Sequence, residues 1–237
     1  MITKEALANN INSVRNKINN ASQKAGRNPD EITLIAVTKT VPVERIMDAY
    51  KLGLTNFGEN YPQEALPKIA AFHPQDVIWH MIGHLQSNKV NKIVPLVGSI
   101  HTVDTLALAQ RIDRIAEEQR ITAKILLQVN ISGEISKRGM TPAETASIAN
   151  EIEKLNHISL IGLMTIPPFA EDPEASRPIF RSLRLLQDKL KIEVPHYTGE
   201  HLSMGMSNDF SIAIEEGATM IRVGQAIFGS RVKTEKE

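Results

Sequence analysis

Apolar residues near the start of the chain fall on one helical face. Leu7, Ile11, Val14 and Ile18 are spaced by four, three and four residues, the period of an amphipathic helix. Gly26 and the Asn28-Pro29 pair end that pattern. The rhythm then changes to short apolar runs at residues 32–38, 54–57, 77–82, 99–103, 123–129, 159–165, 196–203 and 220–223. Several are almost continuously apolar, as parallel strands covered on both faces should be.

Helical stripes lie between these runs. Val43, Ile46, Met47 and Tyr50 form one, with Pro42 just inside its start, and Val90, Ile93, Val94 and Val97 form another. Asp104 is placed to cap a helix carrying Leu106, Ala109, Ile112 and Ile115. Thr141-Pro142-Ala143-Glu144 supplies a capping hydroxyl, a proline at the first helical position and a carboxylate three residues after the cap. Ile179, Leu183, Leu186 and Leu190 mark a long helix, whereas the stripe near residues 63–71 is weak because Pro67 interrupts it. Residues 167–178, rich in proline and acid, read as a mobile loop.

Eight strands with helices between them predict one (β/α)₈ TIM-type barrel with an extra N-terminal helix. The domain is expected to span residues 1–237, with that helix within 1–27 and a charged tail over 230–237. An open doubly wound sheet is the alternative. It lacks its usual Gly-rich fingerprint after the first strand, where Ala36-Val37-Thr38-Lys39-Thr40 stands instead.

Composition narrows the function. Hydrophobic residues make up 42% and aromatics 4%, so the core is aliphatic. The 27 basic and 27 acidic side chains cancel, which leaves no broad basic face for nucleic acid. Without cysteine there is no disulfide, thiol nucleophile or thiolate metal site. The N-terminus has no continuous apolar core of a leader, and no run approaches the roughly 20 apolar residues that span a bilayer, so a cytoplasmic protein is expected.

Barrel enzymes and binding proteins place their chemistry at the C-terminal ends of the strands. The first such end carries Lys39, whose ammonium there is either partly desolvated and able to attack a carbonyl or an ordinary solvated loop lysine. The seventh carries Leu202-Ser203-Met204-Gly205-Met206-Ser207 ahead of a helical pattern, an arrangement suited to an anion or simply to a capped loop. The eighth ends in Arg222-Val223-Gly224. His80 and His84 are four apart but have no third partner, and no metal site is expected. No G-x-S-x-G elbow occurs. An aldehyde that also carries a phosphate would satisfy the amine, the anion cradle and the guanidinium together, and pyridoxal 5′-phosphate is such a molecule.

Several motifs are then recognisable: Ala36-Val37-Thr38-Lys39-Thr40, Phe57-Gly58-Glu59-Asn60-Tyr61, Trp79-His80-Met81-Ile82-Gly83, Leu85-Gln86-Ser87-Asn88-Lys89, Lys137-Arg138-Gly139, Gly162-Leu163-Met164-Thr165, the Ser203–Ser207 stretch and Ile221-Arg222-Val223-Gly224. In this order the chain resembles the pyridoxal phosphate homeostasis proteins, a family similar to the N-terminal barrel of bacterial alanine racemase. The resemblance implies that Lys39 holds pyridoxal 5′-phosphate as a Schiff base and that Asn60 lies beside the ring. It also implies that Ser203, Met206, Ser207 and Gly224 hold the phosphate and that Arg222 faces the pyridine nitrogen. A guanidinium is donor-only and would keep that nitrogen unprotonated, which weakens carbanion stabilisation. The expected function is therefore a carrier in intracellular cofactor homeostasis, not an enzyme, with pyridoxal phosphate and the apo-enzymes that depend on it as partners, no nucleic acid or membrane partner, and a monomeric state. An amino acid racemase using Lys39 as one base is the alternative, and it lacks the separate domain that supplies the second base in alanine racemase. Tyr50, on a helix stripe, and Tyr61 and Tyr197, nearer strand ends, carry no motif for that task. A Schiff-base aldolase on the same barrel is a third reading.

Overall fold

Eight parallel strands return on themselves in the computed structural model, which describes residues 2–229. They are β1 (Thr33–Val37), β2 (Asn56–Glu59), β3 (Ile78–Met81), β4 (Ser99–Val103), β5 (Ala123–Gln128), β6 (Ile158–Met164), β7 (His201–Ser203) and β8 (Met220–Val223). Ala36 lies opposite Phe57 on one side and Val223 on the other, so β1 joins β2 to β8 and closes the barrel. The helices are α1 (Lys4–Lys24), α2 (Val43–Lys51), α3 (Pro62–Ala71), α4 (Val90–Ile93), α5 (Leu106–Gln119), α6 (Pro142–Ile152), α7 (Arg177–Glu193), α8 (Phe210–Glu215) and α9 (Gln225–Phe228). This is the predicted (β/α)₈ barrel with an additional N-terminal helix; the tail over 230–237 lies outside the described residues.

The added helix has a packing role. Its stripe of Leu7, Ile11, Val14 and Ile18 is buried, and α1 lies against the short α8 and α9. Arg27, just beyond it, donates to the carbonyls of Ile214 and Ala218 at the far end of α8. A second tie comes from α7, where Arg177, Arg181 and Arg184 all reach Glu216. Their spacing of four and three residues puts them on one helix face, and together they hold the Glu216 carboxyl down at about 2. The segment between β7 and β8 is thus braced from two sides.

The interior divides unevenly. One large aliphatic cluster fills the layer between strands and helices. A second cluster, Ile35, Leu126, Ile161, Met164 and Met220, joins residues from β1, β5, β6 and β8; strands on opposite sides of a barrel meet only inside it. The β2–β4 side is polar instead, with His80, Ser99 and His101 all buried.

Several element boundaries differ from those the sequence predicts. The second strand begins at Asn56 because Gly53, with φ +82°, and Leu54 terminate α2: their N–H groups donate to the carbonyls of Tyr50 and Ala49. The seventh strand is only His201–Ser203. Upstream, Tyr197 is drawn to α7 by a bond from its hydroxyl to Gln187, and Gln187 donates in turn to Gly199 O. Pro42 is the N-cap of α2 and not inside it, and Thr105, not Asp104, caps α5 by accepting from Leu108 N–H. Pro95 turns the end of α4 into a 3₁₀ turn over Val94–Leu96. The capping box at Thr141 and Glu144 forms as the sequence predicts. Residues 167–178 are only partly loop: a 3₁₀ turn occupies Pro173–Ser176, and α7 starts at Arg177.

Pro67 does not break α3. It forfeits the bond to the Gln63 carbonyl, and both residues lie on the exposed face, where solvent serves that carbonyl. Restoring the N–H with Pro67→Ala is expected to raise stability by about 2 kcal/mol, the helix gain less the lost restraint on the unfolded chain. Urea unfolding followed by circular dichroism measures the change.

Candidate functional site

Lys39 sits in a tight turn directly after β1. Val41 N–H donates to Thr38 O at 2.9 Å, and Thr40 has φ +63°. A β-branched residue at positive φ is strained and persists only where its surroundings fix it. They do so on both sides of Lys39. Thr40 N–H donates to Glu64 Oε2 at 2.6 Å, and the buried Thr38 hydroxyl donates to Glu59 Oε1 at 2.6 Å. Lys68 Nζ gathers the group, donating to Thr38 O at 2.7 Å, Glu59 Oε1 at 2.8 Å and Glu64 Oε2 at 3.0 Å. Burial pushes the Glu59 carboxyl up, opposed by the hydrogen bonds from Lys68 and Thr38.

Asn60 follows β2 and its Oδ1 is buried without a hydrogen-bond partner. The loop after β3 presses on it: a Cβ on Gly83 would stand 2.1 Å from Asn60 O, so only glycine permits that approach. Beside Asn60 lies a pocket of about 260 Å³, lined also by Gly83, His84, Thr102, Lys137 and Arg138.

Arg222, on β8, is 4% exposed. Its Nη1 donates to Ser203 Oγ at 2.6 Å and its Nη2 to Thr165 O at 2.9 Å, both neutral oxygens. Among the described residues no carboxylate lies within ion-pair distance of it. Burial lowers this guanidinium to about 10, with Asp209 acting against the shift. It therefore stays a cation at neutral pH, buried with neutral hydrogen-bond partners and with only the more distant Asp209 carboxylate offsetting the cost of burial. An anionic ligand would relieve that cost.

The loop between β7 and α8 is built around Arg222 and Asp209. Gly205 O accepts from Arg222 N–H at 3.0 Å. Asp209 accepts from Met206 N–H at 2.7 Å and from the Ser176 hydroxyl at 3.0 Å. Ser207 Oγ accepts from Ala226 N–H at 3.2 Å, which joins this loop to the start of α9. Gly224, the N-cap of α9, passes so close to β1 that a Cβ there would lie 3.2 Å from Val37 Cβ. Lys39 is two residues beyond Val37. Lys39, Asn60, Ser203, Met206, Ser207, Arg222 and Gly224 thus lie at or just beyond the C-terminal ends of β1, β2, β7 and β8, which a closed parallel barrel turns to one side.

Other candidates fall elsewhere. His80 is inside the barrel and His84 lines the mouth pocket. Among the described residues no group of three or more His, Asp or Glu is placed to hold a metal. Tyr50 bonds Asp76 and stacks edge-on with Phe72, Tyr197 is buried against Gln187, and Tyr61 is 53% exposed. The support from Glu64 and Lys68 left no motif in the sequence. The buried polar side of the barrel left one signal in the sequence, since Ser99 and His101 stand two residues apart and so share one face of a strand.

The family model for "Alanine racemase, N-terminal domain" matches residues 2–232. The pyridoxal phosphate homeostasis protein of Aquifex aeolicus strain VF5 is 42% identical over 221 residues, 93% of this chain and 96% of its own. The chain belongs to the pyridoxal phosphate homeostasis protein family. Another member, from Escherichia coli strain K12, is 39% identical over 233 residues, 97% of this chain and 99% of its own. Among solved structures, PipY of Synechococcus elongatus PCC7942 with pyridoxal phosphate bound superposes with a TM-score of 0.83 at 37% identity, covering 94% of this chain and all of PipY, 100%. Alanine racemase of Clostridium difficile 630 shares the fold, with a TM-score of 0.75 at 16% identity, and this chain spans 58% of its length.

The residues present fit the family's cofactor: a buried guanidinium hydrogen-bonded only to neutral oxygens, an amine on a fixed turn, and the unsatisfied Asn60 Oδ1. The frame around the turn is testable. Lys68→Met leaves Glu59 buried without its cation and is expected to cost about 3 kcal/mol at neutral pH. A carboxyl whose folded pKa is raised stabilises the fold below its ordinary value and loses that contribution as pH rises through the folded value. The deficit of the variant should therefore shrink as pH falls towards 5, read by urea unfolding at a series of pH values.

Proposed function

We propose that this chain binds pyridoxal 5′-phosphate at the mouth of the barrel and serves intracellular homeostasis of that cofactor. The Lys39 amine condenses with the aldehyde, forming a carbon–nitrogen double bond and releasing water. Asn60 flanks the ring and Arg222 faces the ring nitrogen. Ser203, Met206, Ser207 and Gly224 form the loop and helix start that receive the phosphate. The single observation that carries this reading is the buried Arg222 guanidinium, hydrogen-bonded through its side chain only to neutral oxygens, at the same end of the barrel as Lys39. The cofactor-bound PipY relative supports it.

The role is that of a non-catalytic, monomeric carrier in the cytoplasm that limits free aldehyde and hands the cofactor to apo-enzymes. When bound, pyridoxal phosphate can act as an electron sink, but a donor-only guanidinium at the ring nitrogen weakens that capacity. Racemisation by two bases would also need an acid or base opposite Lys39, and Tyr50 and Tyr197 are engaged elsewhere. Among the described residues no helix is long and apolar enough to cross a membrane.

Borohydride reduction followed by peptide mass analysis should place a pyridoxyl group on Lys39, and Lys39→Ala should abolish the visible absorption of the protein. An adduct on another residue, or retained colour in the variant, overturns the assignment. Incubation with an apo-enzyme should restore that enzyme's activity within minutes to hours; turnover of an amino acid panel that depends on Lys39 would instead establish a racemase.

A further inference from the structure

A continuous hydrogen-bonded chain crosses the polar half of the barrel and ends on Arg222. Asn56 Oδ1 meets His80 Nε2 at 2.9 Å, and His80 Nδ1 meets Ser99 Oγ at 2.8 Å. Ser99 Oγ meets His101 Nε2 at 2.8 Å, and His101 Nδ1 meets Ser203 Oγ at 2.8 Å. Arg222 Nη1 closes it on Ser203 Oγ at 2.6 Å. Every link from His80 to Arg222 is buried, His101 and Ser203 completely.

The two ends fix the direction of every proton in between. A guanidinium only donates, so Ser203 accepts from Arg222 and its own hydroxyl proton is free for His101 Nδ1. His101 then carries its proton on Nε2 and donates to Ser99, which donates to His80 Nδ1. His80 carries its proton on Nε2 and donates to Asn56 Oδ1, an acceptor. The assignment starting from Asn56 and the one starting from Arg222 agree. Both rings must be neutral, since each gives one bond and takes one. Burial drives His80 down to about 4 and His101 well below the usual imidazole range. The charged or titratable groups that act on His101 are His80, Arg222 and His201, each of which disfavours a second proton on it.

We infer that His101 is a positioning residue for the cofactor site: by accepting the Ser203 proton it turns a Ser203 lone pair onto Arg222 and fixes the guanidinium's aim. This inference rests on the proposed reading, in which Arg222 faces the pyridine nitrogen. It also assigns Ser203 a different emphasis, since its proton is directed into the barrel. The donors left for the phosphate at that loop then include the Ser207 hydroxyl, whose oxygen already accepts from Ala226.

The tautomer is read directly on the whole protein by nitrogen-15 NMR with labelled histidine. His101 should show an unprotonated Nδ1 and a protonated Nε2 at neutral pH; a protonated Nδ1 overturns the inference, with or without cofactor. In the cofactor-loaded protein, His101→Leu removes the acceptor, whereas His101→Asn keeps one near the place of Nδ1. With Arg222 no longer held, the ring nitrogen can take a proton, and a positive ring lowers the affinity of the lysine-bound nitrogen for its own. The midpoint of the pH-dependent visible band should therefore fall by about one unit in His101→Leu and stay near its original value in His101→Asn. An unchanged midpoint in a fully loaded His101→Leu protein overturns the inference. Failure of the unsubstituted protein to load on Lys39 overturns the cofactor reading instead, and the tautomer measurement still judges the chain.

Discussion

Arg222 places a guanidinium inside a barrel where it meets only the neutral oxygens of Ser203 and Thr165. A buried cation in such surroundings is tolerable only with well-aligned acceptors, and it favours any anion that can reach it. Much of the local architecture follows from that. Thr165, at the end of β6, turns its carbonyl inward while its hydroxyl is held by Val129 O. Gly205 offers a further carbonyl to the Arg222 backbone. The loop that carries Ser207 is shaped by these contacts before any ligand arrives.

Lys39 is held by a separate frame. The carboxylates of Glu59 and Glu64, joined by Lys68, grip the residues before and after it, so the strain at Thr40 is carried by charge-assisted bonds. The two frames meet where β1 pairs with β8 and Gly224 crosses Val37. Preorganisation of this kind reduces the ordering needed on binding. It also separates two tasks, since the turn sets where the amine stands and the β8 side sets the charge opposite it.

The barrel was legible because its rhythm is coarse. Eight apolar runs survive errors of a few residues at their ends, and the stripe in α1 is strictly periodic. Boundaries failed where a side chain from another element decided them, as Gln187 does for Tyr197. Pro67 misled because propensity ignores which face of the helix is wet. The candidate residues Lys39, Asn60, Ser203, Met206, Ser207, Arg222 and Gly224 came from strand ends and motifs, and strand ends keep their place in a parallel barrel even when the exact boundaries shift. The Lys68 clamp was invisible, because a lysine on an amphipathic helix reads as solvated until the partner carboxylates are placed. His101 was faint for the opposite reason: it lies mid-strand, away from the strand ends that carry the motifs, and shows only as a polar position within a short strand.

The divided interior has a consequence for how the two halves of the barrel withstand change. On the side of Ile35, Leu126, Ile161, Met164 and Met220, contacts are many and interchangeable, so a volume-conserving exchange disturbs each neighbour only slightly. On the side of His80, Ser99 and His101 every member both gives and takes a hydrogen bond. Loss of one member orphans two partners at once, and each orphan carries its own desolvation cost. The apolar half behaves as a packing of parts, whereas the polar half behaves as a sentence whose meaning depends on word order.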